Sequence, residues 1–566
     1  MKKGVSLASI IICLIASTTI LFSNDSNTVA RSNYGMVSTQ DSIATHVGVA
    51  VLERGGNAVD AAYAIGYALA VTHPQAGNLG GGGFMLVHIA SENKTIALDY
   101  REKAPRQSHQ DLFLDSKGDV DTSLSRYSAL SVGVPGTVLG LETAHQRYGV
   151  LAREDLLAYA IKLAKKGFYI NEGLANSLSK YKQHLNRREA TKAVFFKNGD
   201  VLKKGDRLKQ PALAKTLKRL KRYGYRDFYE GKTAQKLIAY IQANEGIMSL
   251  EDLRIYEPVW RAVVTGNYRD VQIASMPPPS SGGIALIQAL NILENFDLNK
   301  YGHNSADSMH IMAEALTYVY ADRARFLGDT DFVDVPIKRL ISKHYATSIA
   351  SAITTPNISN SDVIFKQVES VKESQDTTHF VVLDSQGNCV SNTYTLNFNF
   401  GNGMLVPSLG FFLNNEMDDF SAKPGIPNAY GLLGNEKNKI EPEKRMLSSM
   451  TPTIVFKQNK PLLITGSPGG SRIITTVLQV IINIVDHNMS LPDAVTAKRF
   501  HYQGKPAILF IENNVSEQSL DTLKDRGFKI QSVNRIGSAQ SILVTKKWNI
   551  GVSDPRTAST RALGEK

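Results

Sequence analysis

Residues 376–401, Asp-Thr-Thr-His-Phe-Val-Val-Leu-Asp-Ser-Gln-Gly-Asn-Cys-Val-Ser-Asn-Thr-Tyr-Thr-Leu-Asn-Phe-Asn-Phe-Gly, constrain this chain more than any other stretch. Phe380 to Leu383 is a buried-strand run, Asp384 to Asn388 carries turn chemistry, and Cys389 to Phe400 has the β-branched and aromatic content of a second strand. Thr377 and Thr378 stand where the first strand begins. Taken alone, Thr-Thr at a strand start is ordinary. A threonine hydroxyl is a poor nucleophile unless a base stands beside it, and a threonine at a chain N-terminus brings its own base, an α-amine with a pKa of about 7.7–8. Thr377 is internal as translated, so this chemistry requires the bond after Asp376 to be cut. The polar segment Val371 to Asp376 suits an exposed scissile loop.

The rest of the chain surrounds that hairpin with both periodicities. Asp41 to Ala70 reads as helix, interrupted at Gly55-Gly56. Gly77 to Gly83 is a glycine-rich turn into the strand Phe84 to Ile89. No Lys-Ser or Lys-Thr follows it, so close backbone packing explains it better than a phosphate loop does. Arg153 to Lys166 is a helix closed by Gly167, and Ser249 to Asp252 has capping-box spacing. Further helices fall at Ile284 to Leu293, Ala306 to Leu327, Ile473 to Ile484 and Leu491 to Arg499. Further strands fall at 453–457 and 461–465. Mixed strands and helices of this kind fit two stacked sheets covered by helices, an α/β (α+β) class.

Residues 1–30 have the layout of a secretory signal: Lys2 and Lys3, an apolar run from Val5 to Phe22, then Thr28-Val-Ala30. An uncleaved anchor is the rival, because the run approaches spanning length. The expected address is export, to the periplasm or beyond, with no membrane association once the signal is removed. Cys13 and Cys389 are the only cysteines, so the mature chain has no internal disulfide. The net charge of +12 includes Lys215, Lys218, Arg219, Lys221, Arg222 and Arg226. Leu213, Leu217 and Leu220 supply the opposite stripe of that helix, which favours a solvated face over an anion-binding patch. No nucleic-acid motif accompanies the charge. No HExxH or CxxC metal motif is present, and no cofactor is implied.

Five segments follow one another in the second half: Asp376-Thr-Thr-His-Phe380, Tyr394-Thr-Leu-Asn397, Leu413-Asn-Asn-Glu-Met-Asp-Asp-Phe-Ser421, Leu447-Ser-Ser-Met-Thr-Pro-Thr453 and Thr465-Gly-Ser-Pro-Gly-Gly-Ser-Arg472. Together they resemble the small subunit of the gamma-glutamyltransferases, which are N-terminal-nucleophile hydrolases. Upstream, Leu98-Asp-Tyr-Arg-Glu-Lys-Ala-Pro105 and Asn78-Leu-Gly-Gly-Gly-Gly83 resemble large-subunit motifs. The resemblance implies a four-layer αββα sandwich. It also implies self-cleavage between Asp376 and Thr377 into a large part, 31–376, and a small catalytic part, 377–566, interlaced in one unit.

It further implies a site for a γ-glutamyl group. Thr377 is the nucleophile and Thr395 hydrogen-bonds its hydroxyl. Gly469 and Gly470 supply oxyanion N–H groups. Arg101, Ser448 and Ser449 hold the α-carboxylate, while Asn397, Glu416 and Asp419 receive the α-ammonium. Pro424 to Gly434, continuing to Lys444, matches a lid whose Tyr430 walls the pocket. That favours small donors such as glutathione, with water or an amino acid as acceptor, over the lidless acylases and poly-γ-glutamate-processing enzymes. A serine hydrolase built on Gly466-Ser-Pro-Gly-Gly470 lacks the glycine that a nucleophile elbow needs, because Thr465 stands there. A catalytically silent, basic, secreted binding protein is the reading from a different class, and it would not cleave itself.

Overall fold

The computed structural model describes residues 28–365, 376–421, 423 and 436–566. Most of the expected signal, residues 371–375 of the scissile segment, and the expected lid residues 424–434 with Tyr430 lie outside them.

Each strand of the central hairpin is buried on both faces, and this sets the architecture. Along Thr378–Leu383, Phe380 and Val382 pack with the helices Ser42–Leu52 and Ala58–Thr72. Val381 and Leu383 point the other way, to Ile454, Ile464, Ile542 and Val552 of a second sheet. Strand residues alternate faces, so a strand apolar on both needs a layer on each side. Each such side chain contributes about 1.5–3 kcal/mol by leaving water.

Two seven-stranded sheets result. One runs Arg561–Gly564, Met36–Thr39, Thr378–Leu383, Cys389–Thr395, Gly82–Ile89, Lys94–Tyr100, Val259–Ala262. The other runs Val29–Ser32, Asn549–Ser553, Gln540–Val544, Lys460–Gly466, Thr453–Lys457, Val271–Ser275, Val264–Tyr268. All neighbours in both are antiparallel. The helices Gly282–Leu293, Ala306–Phe326 and Arg472–Val485 cover the outer face of the second sheet. Both sheets contain strands from before and from after Thr377.

The glycine break falls where expected: Gly55 has φ +86°, and Asn57 with Asp60 forms a capping box that starts the second helix. The hairpin turn is closed by Asp384 N–H donating to the Asn388 carbonyl at 3.0 Å. The second hairpin strand is shorter than its composition suggests. It ends at Thr395, because Asn397 takes φ +72° and Phe400 φ +65°, both outside strand geometry. The helix at Leu491 likewise stops at Thr496, and Arg499 is buried against Asp554. The basic helix Pro211–Tyr223 buries Leu213, Leu217 and Leu220 and exposes Lys215, Lys218 and Arg222. Val29–Ser32 is an edge strand with Ala30 opposite Gly551, so ordered pairing begins just inside the expected signal boundary. No helix among the described residues is long and apolar enough to cross a membrane.

Candidate active site

Sheet pairing starts at Thr378, opposite Tyr394. Thr377 therefore sits one residue off the strand end, beside the last residue of the neighbouring strand, Thr395. The chain is continuous from Asp376 to Thr377. Thr377 Oγ1 donates to the Asp376 carbonyl oxygen at 2.8 Å, and Thr395 Oγ1 donates to the same oxygen at 3.1 Å. The sequence predicts that Thr395 bonds the Thr377 hydroxyl; in the uncleaved chain its partner is the scissile carbonyl instead. The cause is local: the Asn397 N–H donates to Thr395 Oγ1 at 2.9 Å, which leaves the hydroxyl hydrogen free to point at that carbonyl.

On one side of Thr377 lies a pocket bounded by Arg101, Thr395, Asn397, Glu416, Asp419, Ser448, Ser449 and Gly470. These residues come from distant parts of the sequence. Arg101 follows the strand Lys94–Tyr100, Glu416 and Asp419 lie in a single 3-10 turn, and Gly470 precedes the helix Arg472–Val485. Gly470 at φ +58° and its neighbour Gly469 at φ +137° hold backbone conformations that side chains disfavour.

Arg101 is 1 % exposed and lies across the pocket, paired with Glu416 and, at 2.5 Å, with Asp419. Residues expected to grip opposite poles of a ligand are thus paired with one another, and only about 30 Å³ of the pocket stays open. A third carboxylate, Glu102, stands 3.6 Å from the same guanidinium. Burial pushes all three carboxyl groups above the usual range, against the opposing pull of Arg101; Glu102 rises to about 7. Three acids around one base leave the pocket with acidic capacity to spare.

Several supporting residues carry no signal in the sequence. Asp99 accepts the Arg101 N–H at 3.0 Å and is itself clamped by Arg261 at 2.9 Å and Arg445 at 3.4 Å. The Tyr256 hydroxyl donates to the Arg101 carbonyl at 2.9 Å. Arg323 donates to Ser449 Oγ at 3.2 Å, which orients that hydroxyl's own hydrogen elsewhere. Asp99 lay within a motif already noted, but Tyr256 and Arg323 are joined to the site only by the fold. Cys389 is fully buried with its thiol pushed up by burial, so it is a packing residue. Among the described residues no cluster of three or more His, Cys, Asp or Glu could hold a metal ion.

The sequence model of the Gamma-glutamyltranspeptidase family matches residues 44–563. A "Glutathione hydrolase proenzyme" of Escherichia coli (strain K12) is 49% identical over 536 residues, covering 94% of this chain and 92% of the relative. The crystal structure of Helicobacter pylori gamma-glutamyltranspeptidase aligns with TM-score 0.56 and 44% identity, over 56% of this chain and 92% of that one. A cephalosporin acylase from Bacillus halodurans superposes with TM-score 0.84 over 96% of this chain and 98% of that one; at 24% identity it speaks for the fold alone. The fold is the αββα sandwich of the N-terminal-nucleophile hydrolases, and the chain belongs to the gamma-glutamyltranspeptidase family.

Proposed function

We propose that this chain is an autoprocessed gamma-glutamyltransferase and glutathione hydrolase. It takes the γ-glutamyl group from glutathione and related compounds and passes it to water, amino acids or peptides. The observation that carries this reading is the single pocket that gathers Thr377, Arg101, Glu416, Asp419, Ser448 and Ser449. The signal-like start of the chain supports export to the periplasm. The presence of strands from before and after Thr377 within both sheets supports two fragments that stay associated after cleavage.

In self-cleavage, Thr377 Oγ1 adds to the Asp376 carbonyl carbon while Thr395 donates to its oxygen. The C–N bond then breaks, the Thr377 nitrogen takes up a proton as the new α-amine, and water hydrolyses the ester. In turnover, that amine takes the Thr377 hydroxyl proton and the oxygen attacks the γ-carbonyl. Gly469 and Gly470 N–H groups hold the developing oxyanion. The leaving amine departs with the proton, and water or an amino acid releases the acyl group. A substrate zwitterion must first separate Arg101 from its carboxylates. Its α-carboxylate takes the guanidinium fork together with Ser448 and Ser449, and its ammonium takes Glu416, Asp419 and Asn397. An acylase for glutaryl groups has no use for that second set, so two acids beside Arg101 favour γ-glutamyl donors.

Thr395→Val should slow fragment formation by roughly 10²–10³-fold, the scale of losing one oxyanion donor. Wild-type kinetics on a time-resolved denaturing gel would remove Thr395 from the cleavage step.

Binding an ammonium requires deprotonated carboxylates, and burial raises both Glu416 and Asp419 above the usual carboxylate range. Binding therefore expels protons and strengthens as pH rises. The inhibition constant of L-glutamate should fall severalfold from roughly pH 6 to 8. A flat profile would contradict the ammonium assignment.

Asp419→Ala should cost about 2–5 kcal/mol in kcat/KM on a γ-glutamyl anilide, as for breaking a desolvated ion pair. It should cost little on the glutaryl anilide, which lacks the ammonium. The difference isolates the Asp419–ammonium contact. Equal losses on both donors would make Asp419 a support of the fold only.

A further inference from the structure

A second cavity, of about 320 Å³, borders Thr377 but not Arg101. Asp376 lines it, 5 % exposed, beside Tyr181 and Asn399. Tyr181 OH donates to Asp376 Oδ2 at 2.8 Å, and the Asn399 N–H donates to the same oxygen at 3.1 Å. The Asn399 side-chain amide donates to Oδ1. Burial, with the neighbouring Asp376 charge, pushes the Tyr181 phenol well above its ordinary value, so it remains a donor. Both oxygens of the carboxylate are thus gripped by charge-assisted hydrogen bonds.

The grip is itself braced. Asn399 lies between Asn397 at φ +72° and Phe400 at φ +65°. Asn415 holds this loop by accepting from the Asn397 side-chain amide at 3.0 Å and from the Phe398 N–H at 3.2 Å. The Phe400 N–H donates to the Gln75 carbonyl at 2.9 Å. Tyr181 joins the helices Glu172–Lys180 and Lys182–Leu185, and its ring meets the edge of Phe400 at 6.0 Å between centroids. Two elements far apart in sequence therefore converge on one carboxylate.

That carboxylate belongs to the residue whose carbonyl Thr377 attacks. The attack closes a ring through the Thr377 nitrogen, Cα, Cβ and Oγ1. It requires the flat peptide group before Thr377 to turn one face toward Oγ1. The turn is a rotation about the N–Cα bond of Thr377, which swings the Asp376 carbonyl oxygen and Cα as one plate. The sheet holds Thr377 from the Thr378 side, and Thr395 holds the carbonyl oxygen. A plate held at one point still swivels. The Asp376 carboxylate, joined to Cα through Cβ, supplies a second point.

We propose that Tyr181 and Asn399 are positioning residues for self-cleavage: by gripping the Asp376 carboxylate they hold the scissile peptide group in the orientation that Thr377 attacks. They act on the precursor alone, because cleavage ends the covalent tie between Asp376 and Thr377. The inference rests on the self-cleavage reading given above and does not depend on the donor.

Fragment formation is followed on a denaturing gel after a pulse of cell-free synthesis of the full chain, with no substrate present. Asp376→Ala should slow it by roughly 10²-fold, the scale of misplacing a reacting group by an ångström. Tyr181→Phe keeps the ring against Phe400 and should slow it by about tenfold, the scale of one charged hydrogen bond. In the Asp376→Ala background Tyr181→Phe should cost nothing more, because its partner is gone; a residue that only supports the fold would slow both backgrounds alike. Once cut, the Tyr181→Phe protein should hydrolyse a γ-glutamyl anilide with the wild-type kcat/KM, and a fall there overturns its assignment to the precursor alone. An Asp376→Ala chain that matures at the wild-type rate overturns the proposal whatever Tyr181→Phe does, and so do losses that multiply in the double variant. A wild type that stays uncut removes the self-cleavage reading and the grip with it. A wild type that cuts itself but leaves the anilide intact removes the γ-glutamyl reading alone, and the grip is still decided by the gel.

Discussion

Everything in this site depends on where one peptide bond lies relative to the edge of a sheet. A threonine hydroxyl becomes a useful nucleophile only beside a base, and an N-terminal threonine supplies that base only once the bond before it is gone. Thr377 stands one residue before the pairing of Thr378 with Tyr394 begins. Its backbone is therefore held by the sheet on one side, while the scissile carbonyl projects beyond the ladder, within reach of two hydroxyls. Moved one residue inward, the bond would be locked into the ladder. Moved one residue outward, Thr395 could not reach it. The burial of the hairpin on both faces keeps this end rigid.

The second constraint is electrostatic. A guanidinium at 1 % exposure is tolerated only when paired, and Arg101 has three carboxylates around it. A zwitterion brings one charge of each sign, so the site can exchange internal pairs for external ones without stranding a charge. Behind it, Asp99, Arg261, Arg445 and Asp331 form a relay of ion pairs that fixes the loop carrying Arg101. That loop cannot shift without breaking buried contacts.

Much of this was legible before the fold. The Phe380–Leu383 run, the Gly55-Gly56 break and the 453–457 strand follow from local periodicity and turn chemistry, which are properties of neighbours in sequence. The family motifs contain every residue lining the Arg101 pocket except Ile473. What remained hidden is what only tertiary contact creates. Tyr181 is 195 residues from Asp376, and Arg323 is 126 from Ser449. Asn399 lay two residues beyond a motif, in a stretch read as strand; the positive φ of Asn397 is what turns it toward Asp376. The family motif describes Thr395 in the cleaved enzyme, whereas here the carbonyl of Asp376 is still in place and accepts from its hydroxyl.

The central claim is that Thr377 cuts the chain before itself and then works as the new N-terminus. The most direct measurement is N-terminal sequencing of the smaller band from a denaturing gel of purified protein, run beside Thr377→Ala. Two associated fragments are expected from the wild type, the smaller beginning Thr-Thr-His-Phe, with a single uncut and inactive chain from Thr377→Ala. A Thr377→Ala chain that matures at the normal rate, or a small fragment beginning at any other residue, would contradict the account.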